Sequence, residues 1–291
     1  MKTLRWPLLA TLGCIVACAA TDPAQVGAAR ALYDARKLPD AQAAFEKIAA
    51  ADPTCAEAPH FLAQLSLRRN DSDKAVVYAE KAVALAPNNA DCQHTLGDAY
   101  GSSAQKASVF SQFGLARKCV AAYQRAVALA PANADFHQSL FDYYRQAPGI
   151  AGGGTDKALA EAAAIKKLDP LRGRIAFATL YTADKKYDQA LAEFDEVLKD
   201  FPDDYAALYQ LGKLAAVSGQ FLDRGLASLR RCLELTPPAA PNTPGHAAAQ
   251  WRLGMILEKK NDPAGARAAY EAALKLDPKF SPAADSLKKL K

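Results

Sequence analysis

Two histidines in this 291-residue chain have a spacing that suggests chemistry. His60 and His94 lie 34 residues apart, and Asp98 follows His94 by one helical turn. If the histidines occupy equivalent positions on stacked helices, two imidazoles and a carboxylate could bind zinc. We favour the alternative, in which both histidines are exposed polar side chains on a binding surface. The sequence has no H-E-x-x-H, G-x-S-x-G or dinucleotide-binding fingerprint, so we expect no catalytic centre, metal ion or cofactor.

Four cysteines follow the first twenty residues. Cys55 and Cys92 both lie near the start of a predicted helix, so a disulfide between them remains open. Cys119 and Cys232 occupy predicted packing positions and are interpreted as small buried residues. No C-x-x-C pair occurs, which argues against zinc-binding and thiol-exchange motifs.

Residues 1–20, MKTLRWPLLATLGCIVACAA, differ from the rest of the chain. A charged start, an apolar run and small residues are typical of a secretory signal peptide, and the run is too short to cross a bilayer. Two interpretations of its end stay open. It is either an A-x-A cleavage site at 17–19 or a lipobox in which Cys18 becomes a lipidated first residue. We therefore expect export to the periplasm, with membrane attachment, if any, through this lipid anchor.

The amino-acid composition and the net charge indicate the class of protein. The chain is 51% hydrophobic and 23% charged, which predicts a folded protein, and it is rich in alanine and poor in β-branched residues, which favours helices. The formal net charge is +5, with positive residues interleaved among negative ones. A nucleic-acid partner is not expected, because it would need a clustered basic face.

A pattern of prolines divides the rest of the chain into repeats. Seven prolines each follow a helix-like segment whose small or apolar residues stand twelve, eight and five positions earlier, on one helical face. A second amphipathic stretch precedes each segment, with pairs such as Leu96–Gly97. The prolines are Pro53, Pro87, Pro131, Pro170, Pro202, Pro237 and Pro278. Each proline ends its helix and forces a turn into the next unit.

This pattern resembles the tetratricopeptide repeat, a helix–turn–helix unit of about 34 residues. The resemblance covers about 22–280 and implies an all-α, right-handed solenoid of about seven repeats with a C-terminal capping helix. The expected repeats are 22–55, 56–89, 90–133, 134–170, 171–204, 205–246 and 247–280, with the cap at 281–291. The stretches from GDAYG to LARK and APGIAGG are similar to a group of exported bacterial tetratricopeptide proteins.

Two repeats contain extra residues. The proline spacing rises from 34 to 44 around 101–118 and to 39 around 145–157. We expect a lengthened helical hairpin in the first case and a loop in the second. The favoured interpretation is that the loop covers Phe110 and Phe113. The alternative is a docking edge, which would suit a small-ligand-binding or enzyme-accessory protein.

The resemblance also implies that the first helices of the repeats line a concave groove. The groove residues are then Arg30, Tyr33, His60, Gln64, Arg68, His94, Asp98, Gln138, Asp142, Arg145, Tyr209, Lys213, Trp251 and Met255. Such a groove would suit a peptide with a basic segment and an apolar anchor. Alternatively, Tyr209, Trp251 and Met255 pack under the last helix. The function expected is that of a non-catalytic, exported scaffold that binds a protein or peptide partner in a cell-envelope complex.

Overall fold

The computed structural model describes residues 22–239 and 243–290, so the predicted signal peptide and Cys18 lie outside the described residues. Over the described ranges the regular structure consists of fifteen α-helices and one short 3-10 turn, without a strand, which confirms the all-α prediction. The chain divides into two compact units, one ending at Leu129 and the other beginning at Ala130. Among the helices that the structure describes, none is both long and apolar enough to cross a membrane.

From residue 22 onward, the first unit contains six helices, and consecutive helices pack against each other as hairpins. They are α1 (Pro23–Asp34), α2 (Leu38–Ala51), α3 (Glu57–Arg68), α4 (Ser72–Leu85), α5 (Ala90–Lys106) and α6 (Val109–Leu129).

The second unit contains nine α-helices within its described residues, again in hairpins, and α15 packs on α14. They are α7 (Ala134–Gln146), α8 (Thr155–Leu168), α9 (Pro170–Ala183), α10 (Tyr187–Asp200), α11 (Tyr205–Ser218), α12 (Leu222–Glu234), α13 (His246–Lys259), α14 (Pro263–Leu276) and α15 (Ser281–Lys289). The 3-10 turn, Gly149–Ala151, lies between α7 and α8. Helix α15 lies where the sequence predicts a capping helix.

The helix ends follow the sequence signals. The second helix of every hairpin ends two or three residues before one of the seven prolines, as α6 does before Pro131. Several first helices begin at an Asn or Asp whose side chain accepts a hydrogen bond from the first turn. Asn89 does so from the amide of Cys92, and Asp204 from the amide of Ala207. These caps satisfy amide groups that have no partner within the helix.

Four hairpins share the same turn between their helices. In each, the second residue after the first helix is a non-glycine residue in the left-handed conformation, with φ between 58 and 60°. These residues are Arg36, Asn70, Lys185 and Asn261. The α11–α12 turn differs, because both Gly219 and Phe221 have positive φ, at 77° and 54°. The α5–α6 and α7–α8 hairpins, which carry the inserted residues, lack a non-glycine residue in this conformation. The insertions therefore replace the standard turn instead of extending it.

The predicted packing positions form the core of each unit. The residues at twelve, eight and five positions before the prolines are buried, as Ala41, Phe45 and Ile48 are in α2. Tyr123 of α6 is the partly exposed exception. Its ring fills the space left by Gly97, where an added Cβ would lie 2.4 Å from Tyr123 Cδ1. Small residues at the helix crossings thus allow the close packing of each hairpin.

The two insertions have different structures. Helices α5 and α6 have 17 and 21 residues, longer than their counterparts, which confirms a lengthened hairpin. Within the 145–157 segment, residues 147–154 form a loop between α7 and α8, and the Tyr143 hydroxyl donates a hydrogen bond of 2.6 Å to the carbonyl oxygen of Ala151 in this loop. The expectation that Phe110 is covered is wrong, because this side chain is 97% exposed at the start of α6.

Candidate functional site

The predicted surface residues of the first unit lie on α1, α3 and α5. Two pairs connect α1 to α3. The Nε–H of Arg68 donates to the Tyr33 hydroxyl at 2.9 Å, with the guanidinium carbon 4.9 Å from the centre of the ring. Arg30 forms an ion pair of 2.9 Å with Glu57. Arg30 and Arg68 are exposed, and Tyr33 is half-buried against the core, so the structure places these three residues at an accessible polar face.

His60 differs from this pattern because it is buried, at 8% exposure. The amide nitrogen of Gln64 lies 3.1 Å from His60 Nε2. An amide nitrogen can only donate, so Nε2 is the acceptor. Burial lowers the pKa of the His60 imidazole from its ordinary value, and Asp91 and Glu57 offset part of that effect. The expectation that both histidines are exposed is therefore wrong for His60, which is a neutral, buried side chain.

His94 and Asp98 form a second polar group on α5. His94 Nδ1 lies 3.5 Å from the Asp98 carboxylate, which also accepts a hydrogen bond of 2.7 Å from the Tyr123 hydroxyl. Partial burial raises the pKa of the Asp98 carboxyl, and His94 and the Tyr123 hydrogen bond oppose this shift. In the part of the chain that the structure describes, no three His, Cys, Asp or Glu side chains are arranged to hold a metal ion. Asp98 instead holds the first helix of its hairpin to the second.

The cysteines do not form a redox or metal centre in the described ranges. Cys55 and Cys92 are free thiols, so the disulfide left open by the sequence is not formed. Burial raises the pKa of Cys92 to about 11, and that of both Cys119 and Cys232 to about 12. These three thiols are therefore protonated and inert at neutral pH, and they act as small packing residues.

In the second unit, three predicted residues of α7 form one network. Gln138 donates to the Asp142 carboxylate at 3.0 Å, and Arg145 donates to the same carboxylate at 3.2 Å. Asp142 is therefore already paired within its own helix. A basic group from a ligand would have to compete with Arg145 for this carboxylate.

Lys213 and Arg252 form a pair of uncompensated cations on α11 and α13. Within residues 22–239 and 243–290, Lys213 has neither a hydrogen bond nor an ion pair. Burial lowers the pKa of the Lys213 ammonium, and the nearby positive charges of Arg252 and Arg145 lower it further. The buried Nε of Arg252 has no hydrogen-bond partner among these residues. Two half-buried cations that repel each other would gain a counter-charge by binding an anionic group.

The three apolar candidates prove to be packing residues. Tyr209 is buried in the core shared by α11, α12 and α13, so it does not belong to an accessible surface. Trp251 donates to the Ser286 hydroxyl of α15 at 3.0 Å and contacts Phe280 edge to face, with 5.9 Å between ring centres. Met255 packs against the same core. The alternative that the sequence left open, packing near the last helix, therefore describes Trp251 best.

Sequence reasoning missed two exposed or charged features. Arg252 was not among the predicted surface residues, although its guanidinium carbon lies 4.0 Å from the centre of the Trp251 ring. A signal was available in the sequence, because Arg252 precedes Met255, a predicted groove residue, by about one helical turn. Phe110 was expected to be covered, and no sequence signal distinguishes it from a core aromatic residue.

Comparison with family models gave matches over more than half of the chain. Two models, both described as tetratricopeptide repeat, match residues 26–90, 175–240 and 247–280. The last range coincides with the seventh repeat expected from the sequence. No curated protein matches the chain significantly.

Comparison with solved structures gave helical-repeat proteins at low sequence identity. A tetratricopeptide repeat protein from Parabacteroides merdae is 14% identical, with a TM-score of 0.68 over 91% of this chain and 96% of that one. A thermophilic repeat protein of Thermus thermophilus is 21% identical, with a TM-score of 0.50 over 72% and 98%. A chain of the Cut9–Hcn1 hetero-tetramer of the APC/C is 14% identical, with a TM-score of 0.57 over 87% and 46%. At these identities the likeness concerns the fold alone.

Proposed function

We propose that this chain, which belongs to the tetratricopeptide repeat family, is a non-catalytic scaffold that binds a protein or peptide partner. The binding surface is the exposed face of the first helices in each unit. Membership of the family supports a role in protein–protein interaction in general. The nature of the partner has to be argued from the charges on that face.

The cation pair of Lys213 and Arg252 carries the proposal. Two cations that are half-buried, adjacent and without a carboxylate partner destabilise the fold, because each raises the cost of the other's charge. Such an arrangement is typical of a site that is completed by a ligand. A carboxylate is the group that would neutralise these two cations. The partner therefore contributes an Asp or Glu side chain to this face of the second unit.

The acidic residues of the predicted groove do not favour a basic partner segment. Asp98 already accepts from Tyr123 and faces His94, and Asp142 already accepts from Gln138 and Arg145. A basic peptide would therefore gain little net attraction from these carboxylates. The proposed partner is an acidic segment instead of the basic one that the sequence suggested.

The proposal places the protein in the cell envelope. This part rests on residues 1–20, whose charged start and apolar run have the form of an export signal. Replacing Cys18 with serine tests the lipid-anchor version. Release of the protein from the membrane fraction would support lipidation, and unchanged fractionation would refute it.

Site-directed photo-cross-linking in the native cell tests the binding surface. A photoreactive residue at Val217, 48% exposed and one turn beyond Lys213, should give an adduct with one defined partner. Combining it with Lys213→Glu and Arg252→Glu should remove that adduct. The matched control is a photoreactive residue at Lys199, exposed on the second helix α10. An adduct formed equally from both positions, or one that survives the charge reversal, would refute the assignment.

A further inference from the structure

The free end of the α5–α6 hairpin exposes apolar side chains that have no packing role. Phe110 is 97% exposed and Val109 is 68% exposed, both in the first turn of α6. The hairpin is longer than its counterparts, so these residues lie on the part that the insertion adds. A phenylalanine in water is unfavourable, and its full exposure indicates an interaction that the isolated chain does not satisfy.

The part of this hairpin that follows Asp98, including the tip and all of α6, lacks acidic residues. Between Asp98 and Asp135 the sequence has no Asp or Glu, while it has Lys106, Arg117, Lys118 and Arg125. The hydrogen bonds or ring contacts of three of these cations are with neutral groups, although the positive charge of Lys106 also acts on the Asp71 carboxylate. Lys106 donates to the carbonyl oxygen of Asn70, Lys118 lies over the Tyr100 ring at 5.1 Å, and Arg125 donates to the Asn88 side chain at 2.7 Å. These contacts do not neutralise Lys118 or Arg125, and the excess of cations over carboxylates between 99 and 134 favours an anionic partner.

Helical geometry puts the aromatic residue and a cation on one face. Arg117 follows Phe110 by seven residues, which is about two turns at 3.6 residues per turn. Cys119, nine residues after Phe110, is buried on the opposite side of α6. Gly114 lies between Phe110 and Arg117, and a Cβ added there would meet nothing within 4 Å. Along the outer face of α6, the apolar residue Phe110 is thus followed by Gly114, which has no side chain, and then by the basic residue Arg117.

We infer that this tip binds the surface of a bilayer that contains anionic phospholipid. Phe110 and Val109 enter the headgroup region, where aromatic side chains are favoured. The neighbouring residues, Ser108, Ser111 and Gln112, are polar but uncharged, so they cost little to bring into that region. Lys106, Arg117 and Lys118 face the phosphates, and each cation near an anionic surface adds to the affinity. The first amides of α6 add the positive end of the helix dipole.

An anionic lipid surface fits these observations better than an acidic protein does. The apolar residues lie at the free end of a hairpin and not in a groove, and the cations follow them along the helices without an arrangement that would select a single carboxylate. This inference is independent of the partner-binding face of the second unit, because it depends only on residues 101–125.

Co-sedimentation with vesicles tests the inference. The purified protein should sediment with vesicles of phosphatidylglycerol and phosphatidylcholine in equal parts, and much less with phosphatidylcholine alone or at high salt. Phe110→Ser should weaken binding by about tenfold, because the apolar contact is lost. Replacing both Arg117 and Lys118 with glutamine should weaken it by roughly tenfold or more, because two cations are removed.

Matched controls come from the same unit. Val77 is also an exposed apolar residue, at 64%, but lies on α4, so Val77→Ser should bind like the unmodified protein. Lys47→Gln with Lys81→Gln removes two exposed charges elsewhere and should also have no effect. In addition, Phe110→Trp should show a blue-shifted emission when anionic vesicles are added.

Three outcomes would overturn the inference. One is the absence of sedimentation with anionic vesicles at low salt. Another is sedimentation that Phe110→Ser does not weaken. The third is a concentration-dependent oligomer that Phe110→Ser abolishes while vesicle binding is absent, which would identify the tip as a contact between copies of the chain.

Discussion

Gly97 of α5 lies directly against the ring of Tyr123 of α6. A Cβ at Gly97 would approach Tyr123 Cδ1 to 2.4 Å, and the Tyr123 hydroxyl donates to Asp98 at 2.7 Å. The same relationship holds between Gly254 and Tyr270, with a closest approach of 2.4 Å. In both hairpins the missing side chain of the first helix is what allows the aromatic ring of the second helix to be packed.

Gly97→Ala should therefore destabilise the protein by about 1–3 kcal/mol, because the methyl group has no space beside the Tyr123 ring. Gly114→Ala is the matched control. Nothing lies within 4 Å of a Cβ at that exposed position inside α6. Alanine there should stabilise by roughly 0.5–1 kcal/mol through its higher helix propensity. Urea unfolding of both variants measures the two effects, and changes of equal sign would contradict the packing argument.

Acidification should destabilise the protein through His60. Burial lowers the pKa of His60 below its ordinary value of 6.5 in the folded state. Above pH 6.5 the imidazole is neutral in both states, so the shift has no effect there. Below it the unfolded chain binds a proton first, and stability is lost as the pH falls through the folded-state pKa. His60→Gln removes this group, so its unfolding free energy should depend less on pH between neutral and acidic conditions.

The comparison is made by urea unfolding of both proteins at a series of pH values. Parallel curves for His60→Gln and the unmodified protein over that range would show that His60 does not contribute.

The buried contact between His137 and Glu161 should matter more than exposed ion pairs. His137 Nδ1 lies 2.6 Å from the Glu161 carboxylate, and Nε2 lies 3.0 Å from the carbonyl oxygen of Pro131. The side chains are only 10% and 16% exposed. Glu161→Ala leaves the ring nitrogen without its acceptor and should cost about 1–3 kcal/mol. Glu161→Gln should cost less, because the amide oxygen can still accept.

Glu234→Ala provides the control for that contact. It removes an ion pair of 2.7 Å with Arg231 whose partners are 42% and 63% exposed. An exposed pair of this kind should contribute no more than about 0.5 kcal/mol. Chemical unfolding that shows the two alanine variants to be equally stable would argue against a structural role for the buried pair.

Lys213→Met should stabilise the free protein while weakening the capture of its partner. Burial and the charges of Arg252 and Arg145 lower the pKa of Lys213, so the charged form is disfavoured in the folded state. An uncharged side chain of similar length relieves this repulsion. Thermal unfolding and the cross-linking yield from Val217 measure the two effects. A loss of stability, or an unchanged yield, would contradict the assignment of Lys213 to a ligand site.

The sequence predicted the fold well because the signals were local and repeated. Prolines such as Pro131 follow the end of a second helix, since a proline lacks an amide hydrogen and clashes with the preceding turn of a helix. Small residues at fixed offsets, such as Ala41, define the buried face of a helix by periodicity alone. The candidate site was harder to predict. His60 and Tyr209 have the periodicity of surface positions, yet neighbouring helices bury both of them.

What the sequence by itself determined is the all-α class, the helix ends, the lengthened α5–α6 hairpin and the residues that pack between helices. Only the tertiary structure decided which side chains of the first helices remain accessible, because exposure depends on what the adjacent helices cover. Among the residues that the structure describes, Lys213 and Arg252 have no counter-charge, and Phe110 lies in solvent. The exposure of a side chain and the presence of a counter-charge both depend on neighbours from distant parts of the chain. No local sequence pattern contains this information.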